Sequence, residues 1–304
     1  MCHPMPGKGI FAGHRLRKQQ KSRKHRSRKM YRMRKMYPVL PLRCACFKGE
    51  MMENSDGKEQ LEFWKKRAQN FPRYENVPGN YELGILGRMK GMGVDFRGKT
   101  VIDAGCGTGM YTLHIAQEAK SVEGVDISED MLHFLRVDAE ANGIKNLSVV
   151  CSDWNDYTPS KQFDIAFCTM SPALRTSEAR KKLHDCASET VVYMGFDGLR
   201  ESNVLEHFYP IFNITPKSFS DAHKMRAWLE ENGISYKCET VEGEWVSQKT
   251  QDELTESTLN ALRLDAPDVD EETVRRNLEK FRSENGLYTE TVRYRSAIIV
   301  WRKD

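Results

Sequence analysis

Three glycines and three acids hold the most specific chemistry in this chain. The run Val101-Ile-Asp-Ala-Gly-Cys-Gly-Thr-Gly109 sets Gly105, Gly107 and Gly109 just after a short apolar stretch and just before a helical one. Glycine there permits unusual backbone angles and lets a ligand lie against the main chain. Asp103 precedes the glycines. A bare helix N-terminus attracts phosphate, whereas a carboxylate beside it suits a cationic group. Asp126, in Glu123-Gly-Val-Asp126-Ile-Ser128, lies about 20 residues past the glycine turn, where an acid can accept from both ribose hydroxyls. Asp153, in Cys151-Ser-Asp153-Trp154, can accept from an exocyclic adenine amine, with Trp154 or Ile127 packed on the ring. The ligand implied is a nucleoside with a positively charged end. A nicotinamide dinucleotide fits less well, because its usual spacing is G-x-G-x-x-G and this chain has G-x-G-x-G after an acid.

The elements that must position these groups alternate. Short apolar strands are expected at 100–104, 121–127, 147–151, 163–168 and 189–194, with helices at 110–120, 129–142 and 177–188. Gly143 lies just past the second of these helices, as a C-terminal cap should. Such alternation implies a mainly parallel sheet with helices on both faces. The three acids then gather at the C-terminal edge of the sheet, near its topological switch point. Upstream, Leu61, Trp64, Ala68 and Phe71 recur at helical spacing until Pro72, and a second helix follows the Pro78-Gly79-Asn80 turn. Downstream, a helix at 217–232 precedes a strand region at 234–246 and a long period-two strand at 288–301. Between these two strands, Thr250 with Glu253 forms a capping box for one helix. Val274, Leu278 and Phe281 mark another.

With these motifs in place, the stretch from Thr100 to Leu174 resembles the class I S-adenosylmethionine-dependent methyltransferases. Asp103 to Gly109 matches that family's first motif, Val125 to Ser128 its second, and Asp164-Ile-Ala-Phe-Cys-Thr-Met170 its fourth. The cofactor carries a sulfonium and an ammonium, which agrees with the carboxylates. The resemblance implies a Rossmann-like α/β fold: a seven-stranded, mostly parallel sheet with helices on both faces and an antiparallel last strand. It implies that Asp103, Gly105, Cys106, Gly107, Thr108 and Gly109 hold the amino-acid end of the cofactor. Asp126 would hold the ribose, with Ile127, Ser128 and Met131 beside it. Ser152, Asp153 and Trp154 would flank adenine, and Thr169 and Met170 would border the sulfonium. Trp64 and Arg67 lie on a helix like the covering helix of many small-molecule members, though packing and a solvated face explain them equally. Ser171, Pro172, Trp64 and Tyr81 are candidate substrate contacts.

The acceptor is less legible. Ser171-Pro172-Ala173-Leu174 departs from the Asn/Asp-Pro-Pro-aromatic pattern of members that methylate base or glutamine amines, which argues against adenine-N6 and glutamine methylation. In-line methyl transfer requires chiefly that the nucleophile be positioned, and a base only if a proton must leave. His114, His184, Tyr157 and Tyr81 are conceivable bases, and none sits in a diagnostic arrangement, so no catalytic residue is named. Residues 250–272 contain eight acids and one base, Arg263. This insertion either covers a small-molecule site or presents a solvated face, and so acidic a surface would repel a phosphate backbone.

Charge divides the chain. Residues 1–50 carry 15 Lys or Arg and one acid, and the remainder carries 32 basic and 42 acidic residues. Such a basic segment cannot bury a core. It is read as a disordered tail, with a nucleic-acid arm, a transit peptide, or sequence ahead of a working start at Met51 as alternatives. The eight cysteines show no disulfide spacing, which suggests reduced thiols in the cytoplasm. Cys44 and Cys46 lack partners for a metal site, and none is expected. No stretch approaches the roughly 20 apolar residues of a membrane span. The domains expected are the tail at 1–50, a helical cover at 51–98, and the catalytic domain at 99–304 with an insertion at 249–286. A small-molecule methyltransferase leads. An RNA or protein methyltransferase guided by the arm is the alternative, as is a cofactor-binding module without catalysis. Oligomeric state is not legible.

Overall fold

The computed structural model describes residues 57–216 and 218–303. The expectations for residues 1–50, Met51 and the pair Cys44 and Cys46 lie outside the described residues. Seven strands form one sheet: β1 (Thr100–Ala104), β2 (Ser121–Asp126), β3 (Leu147–Cys151), β4 (Phe163–Thr169), β5 (Ala187–Ser202), β6 (Tyr236–Lys249) and β7 (Tyr288–Arg302). Their order is β3-β2-β1-β4-β5-β7-β6. The first five run parallel, and β7 is antiparallel to both β5 and β6. The expected fold class is therefore the observed one. The order reverses between β1 and β4, so the crevice outside their C-terminal ends is where an α/β sheet takes its ligand.

Val101, Ile102 and Ala104 in β1 and Ile165 to Cys168 in β4 are buried on both faces, as central parallel strands must be. One face packs α5 (Ser177–Cys186) and α7 (Asp221–Glu231) through Leu183, Met225 and Trp228. The other packs α2 (Tyr81–Gly91) through Ile85, Leu86 and Met89, and α3 (Thr112–Ala116) through Ile115. The flanking helix α4 (Glu129–Ala141) carries α1 (Gly57–Ala68) on its outer side. Ser128 caps α4 by accepting from Met131 N, and Gly143 beyond it takes φ 67°.

The helix expected at 110–120 shortens to the five residues of α3. Asn146 Nδ2 donates to the carbonyls of Ala116 and Ala119, both at 2.9 Å, and satisfies them without a further helical turn. The fifth strand, expected at 189–194, runs 16 residues instead. It continues because β7 pairs with it from Thr190 to Ser202, with Gly198 inside an irregularity between Phe196 and Arg200.

The extra length of β5 carries the sheet beyond its C-terminal edge on one flank. There α6 (Asn203–Phe208), which the sequence did not announce, packs with α8 (Gln251–Leu262) and α9 (Glu271–Leu278). Val204, Phe208, Leu254, Leu262, Val274 and Leu278 form their separate core. The insertion leaves β6 at Lys249 and re-enters β7 at Tyr288, which are ladder partners. Thr250 and Glu253 make the expected capping box. Among the described residues no helix is long and apolar enough to cross a membrane.

Candidate functional site

The glycine loop leaves β1 between two acids. Asp103 is 2% exposed and accepts from Thr112 Oγ1 at 2.6 Å. Burial raises its carboxyl to about 7, and the negative charge of Asp126 pushes the same way. Asp126 spans the loop: Oδ2 accepts from Gly107 N and Oδ1 from Ser128 N, both at 2.9 Å. Burial raises it to about 6 in spite of these hydrogen bonds. Val125 O anchors the turn by accepting from Gly105 N and Cys106 N at 2.7 and 3.1 Å.

All three loop glycines have positive φ: 74°, 55° and 85°. Two are hemmed in. A Cβ on Gly105 would lie 1.9 Å from Ser171 Oγ, and one on Gly109 would lie 2.8 Å from Leu135 Cγ. One on Gly107 would meet nothing within 4 Å. The main chain is thus bare and open at Gly107, between two acids, where a ligand can approach it. An ammonium or sulfonium suits this spot, since the charge acting on Asp103 is that of another carboxylate.

The far wall comes from β4. Met170 follows it with φ 49°, unusual for a residue with a side chain, and its N–H donates to Met194 O at 2.8 Å. Ser171 lies against Gly105 and accepts from Ala173 N at 3.2 Å, starting a short 3-10 turn at Pro172–Leu174. Thr169, Met170, Ser171 and Pro172 are half-buried beside the loop.

Several expected contacts have other duties. Thr108 donates to Pro72 O at 2.6 Å and tethers the segment that follows α1. Cys106 packs beneath Gly124, and Met131 is in the core. Ser128 caps α4, so the loop offers a ligand mainly backbone. Trp154, expected on adenine, is instead 3% exposed. Its Nε1 donates to Ala179 O at 3.1 Å, and it stacks on Tyr157 at 5.5 Å. It has no face left for a base, and Ile127, half-exposed, is the candidate that stays. Asp153 accepts from Asn155 N at 2.8 Å through Oδ1, and Ser152 Oγ donates to Asp153 O at 2.9 Å. Ser152 N donates to Asp126 O, so this segment abuts Asp126.

On α1, Arg67 lies over the rings of Phe63 and Trp64 at 5.0 and 5.7 Å, and Trp64 meets Phe71 at 6.1 Å. These side chains pack on one another. Three of the four conceivable bases are built into packing. His114 is 4% exposed with Nε2 3.2 Å from Asn80 Nδ2, and burial lowers its pKa. His184 Nδ1 accepts from Trp301 Nε1 at 3.0 Å, and Tyr157 donates to Glu123. Tyr81 packs in an aromatic group the sequence did not reveal: Tyr81, Tyr111, Phe196, Trp245 and Tyr294, with Met170 against the same cluster. Glu82 is next to it. Period two places Tyr294 on one strand face, but nothing local brings β6, β7 and α2 together. Among the described residues no group of three or more His, Cys, Asp or Glu is set to hold a metal. A further cavity of about 290 Å³ lies under the insertion, lined by Arg200, Ser202, Tyr209, Phe219 and Asp265.

Residues 101–190 match the family model described as methyltransferase domain. A ubiquinone biosynthesis O-methyltransferase of Coxiella burnetii is 27% identical over 157 residues, 46% of this chain and 65% of that protein. A 23S rRNA (uracil(1939)-C(5))-methyltransferase of Marinomonas posidonica is 48% identical over 54 residues, 18% of this chain and 12% of that protein. The chain thus spans less than two thirds of these curated relatives. Among solved structures, magnesium protoporphyrin IX methyltransferase from Synechocystis with bound S-adenosylhomocysteine covers 79% of this chain and 99% of its own, at 16% identity and a TM-score of 0.44. Residues 101–190 thus resemble a methyltransferase domain, and the seven-stranded, mostly parallel sheet that carries them has a Rossmann-like arrangement.

Proposed function

We propose that this chain binds S-adenosylmethionine in the crevice between β1, β2 and β4 and transfers its methyl group in line to a small-molecule acceptor. The observation that carries the reading is the pair of acids, buried Asp103 and half-buried Asp126, on either side of the open main chain at Gly107. The cofactor supplies an electrophilic methyl on a sulfonium. Asp103 and the backbone near Gly107 hold its ammonium end, and Asp126 accepts from the ribose hydroxyls. Ile127 and Asp153 border the adenine. Met170 and Ser171 set the distance between the methyl-bearing end and the acceptor, which supplies much of the rate.

A small molecule is favoured over RNA because the insertion beside the extended β5 is acidic, and phosphate would be repelled there. The insertion and α1 attach to different flanks of the crevice and are read as its covers. The basic arm at 1–50 keeps an RNA or protein acceptor as the second reading. Full-length protein incubated with methyl-labelled cofactor and cell extract tests this. Label should enter the low-molecular-mass fraction, and the Asp126→Ala variant should transfer none. Label in RNA or protein would overturn the small-molecule reading.

A further inference from the structure

The aromatic group beside Met170 offers a way to the acceptor's chemistry. Tyr81 and Tyr294 meet edge to face at 6.1 Å, and Tyr294 stacks on Trp245 at 4.0 Å. Trp245 meets Phe196 at 6.4 Å, and Tyr111 meets Phe167 of β4 at 6.0 Å. This wall lies on the same sheet face as Asp103, over the ends of β4 and β5 where the methyl group would be delivered. It already receives one cation: Arg200 lies 5.8 Å from the Phe196 ring and 5.4 Å from that of Phe219. Aromatic faces attract cations through their quadrupole.

The first turn of α2 adds a carboxylate. Glu82 is half-buried, and among the described residues it makes no ion pair. Arg88, one turn and a half along α2, is committed to Glu239. Burial raises the Glu82 carboxyl, with Glu75 contributing, and burial likewise raises the phenols of Tyr111 and Tyr81, to which the Glu82 charge adds. An acid so close to aromatic rings and lacking a cation is out of place in a site for a phenolate or carboxylate acceptor.

We propose that the acceptor is an aliphatic secondary or tertiary amine on an apolar skeleton, seated on this wall with its nitrogen toward Glu82. The proposal rests on the methyltransferase reading above. The amine lone pair forms the N–C bond as the C–S bond breaks, and the electrons of that bond stay on sulfur. Positive charge therefore passes from sulfur to nitrogen and remains in the site. Glu82 and the ring faces stabilise it there. A tertiary amine gives a quaternary product with no proton to remove, and a secondary amine loses its proton to water afterwards. An aliphatic amine is an ammonium at neutral pH, so it first gives one proton to water or to the Glu82 carboxylate before its lone pair attacks. The Ser171-Pro172-Ala173-Leu174 segment is compatible, because an sp3 amine has its lone pair free, unlike a planar amide or base nitrogen.

The test is calorimetric titration of the full chain, saturated with S-adenosylhomocysteine, with benzyltrimethylammonium and with phenylmethanesulfonate. The expected result is at least tenfold tighter binding of the cation, reduced about tenfold by Glu82→Gln, which corresponds to ~1.4 kcal/mol. Equal binding of the two probes, no binding of the cation, or an unchanged preference in Glu82→Gln would overturn the proposal. Failure to bind S-adenosylhomocysteine at all would instead overturn the cofactor reading on which it rests.

Discussion

Asp103 shows how one residue sets function against stability. Its folded carboxyl titrates near 7, above the ordinary carboxylate range, because it is buried beside another acid. The folded chain therefore holds this proton more tightly than the unfolded chain between about pH 4 and pH 7. Stability present below that window is lost as pH rises through it. Asp103→Asn keeps an acceptor for Thr112 and removes the charge. It should stabilise the cofactor-free protein at pH 8 by on the order of 2–4 kcal/mol in urea unfolding, with little gain at pH 4, while cofactor affinity collapses. An equal gain at both pH values would contradict the electrostatic cause. The glycine turn after Asp103 was legible because its spacing is local to one strand–turn–helix unit. Trp154 was misjudged because a side chain just past a strand end can turn either way, and the packing of Tyr157 and Ala179 decides. Glu82 was missed because Tyr111, on whose phenol its charge acts, lies far along the chain and no local pattern joins it to α2.

Among the elements, β5 shows what local pattern cannot supply. The strand expected at 189–194 runs on to Ser202 because β7 pairs past Gly195 and Gly198, and the extension supports α6 and the insertion. The junction is pinned by Lys249, whose side chain is 3% exposed and reaches Glu290 Oε2 at 2.6 Å, while Ser202 donates to Glu290 Oε1 at 2.7 Å. This trio ties the ends of β5, β6 and β7 together. Removing one member of a buried pair leaves the other charge uncompensated. Lys249→Met should cost roughly 3–5 kcal/mol, and Lys249→Met with Glu290→Gln should recover most of it. Equal losses in the single and double variants, measured by chemical denaturation, would show that the pair does not act as a unit. The capping box at Thr250 was legible because both partners lie within four residues, and the length of α3 was not, because Asn146 is far along the chain.

Across the molecule, the parallel core and the switch point followed from alternation and motif order, and the antiparallel last strand from the family resemblance. The flanking aromatic wall and the third helical core did not, because they arise where the long strands outrun the Rossmann-like unit. The division of charge between residues 1–50 and the acidic remainder leaves the crevice in the acidic part, which suits a cationic cofactor. The most direct measurement is a calorimetric titration of the full chain with S-adenosylmethionine, S-adenosylhomocysteine and NAD, in parallel with Asp126→Ala. The expected result is binding of the first two in the micromolar range, lost in the variant, and no binding of NAD. Binding of NAD, or undiminished S-adenosylmethionine binding by Asp126→Ala, would contradict the assignment of the crevice between β1 and β4.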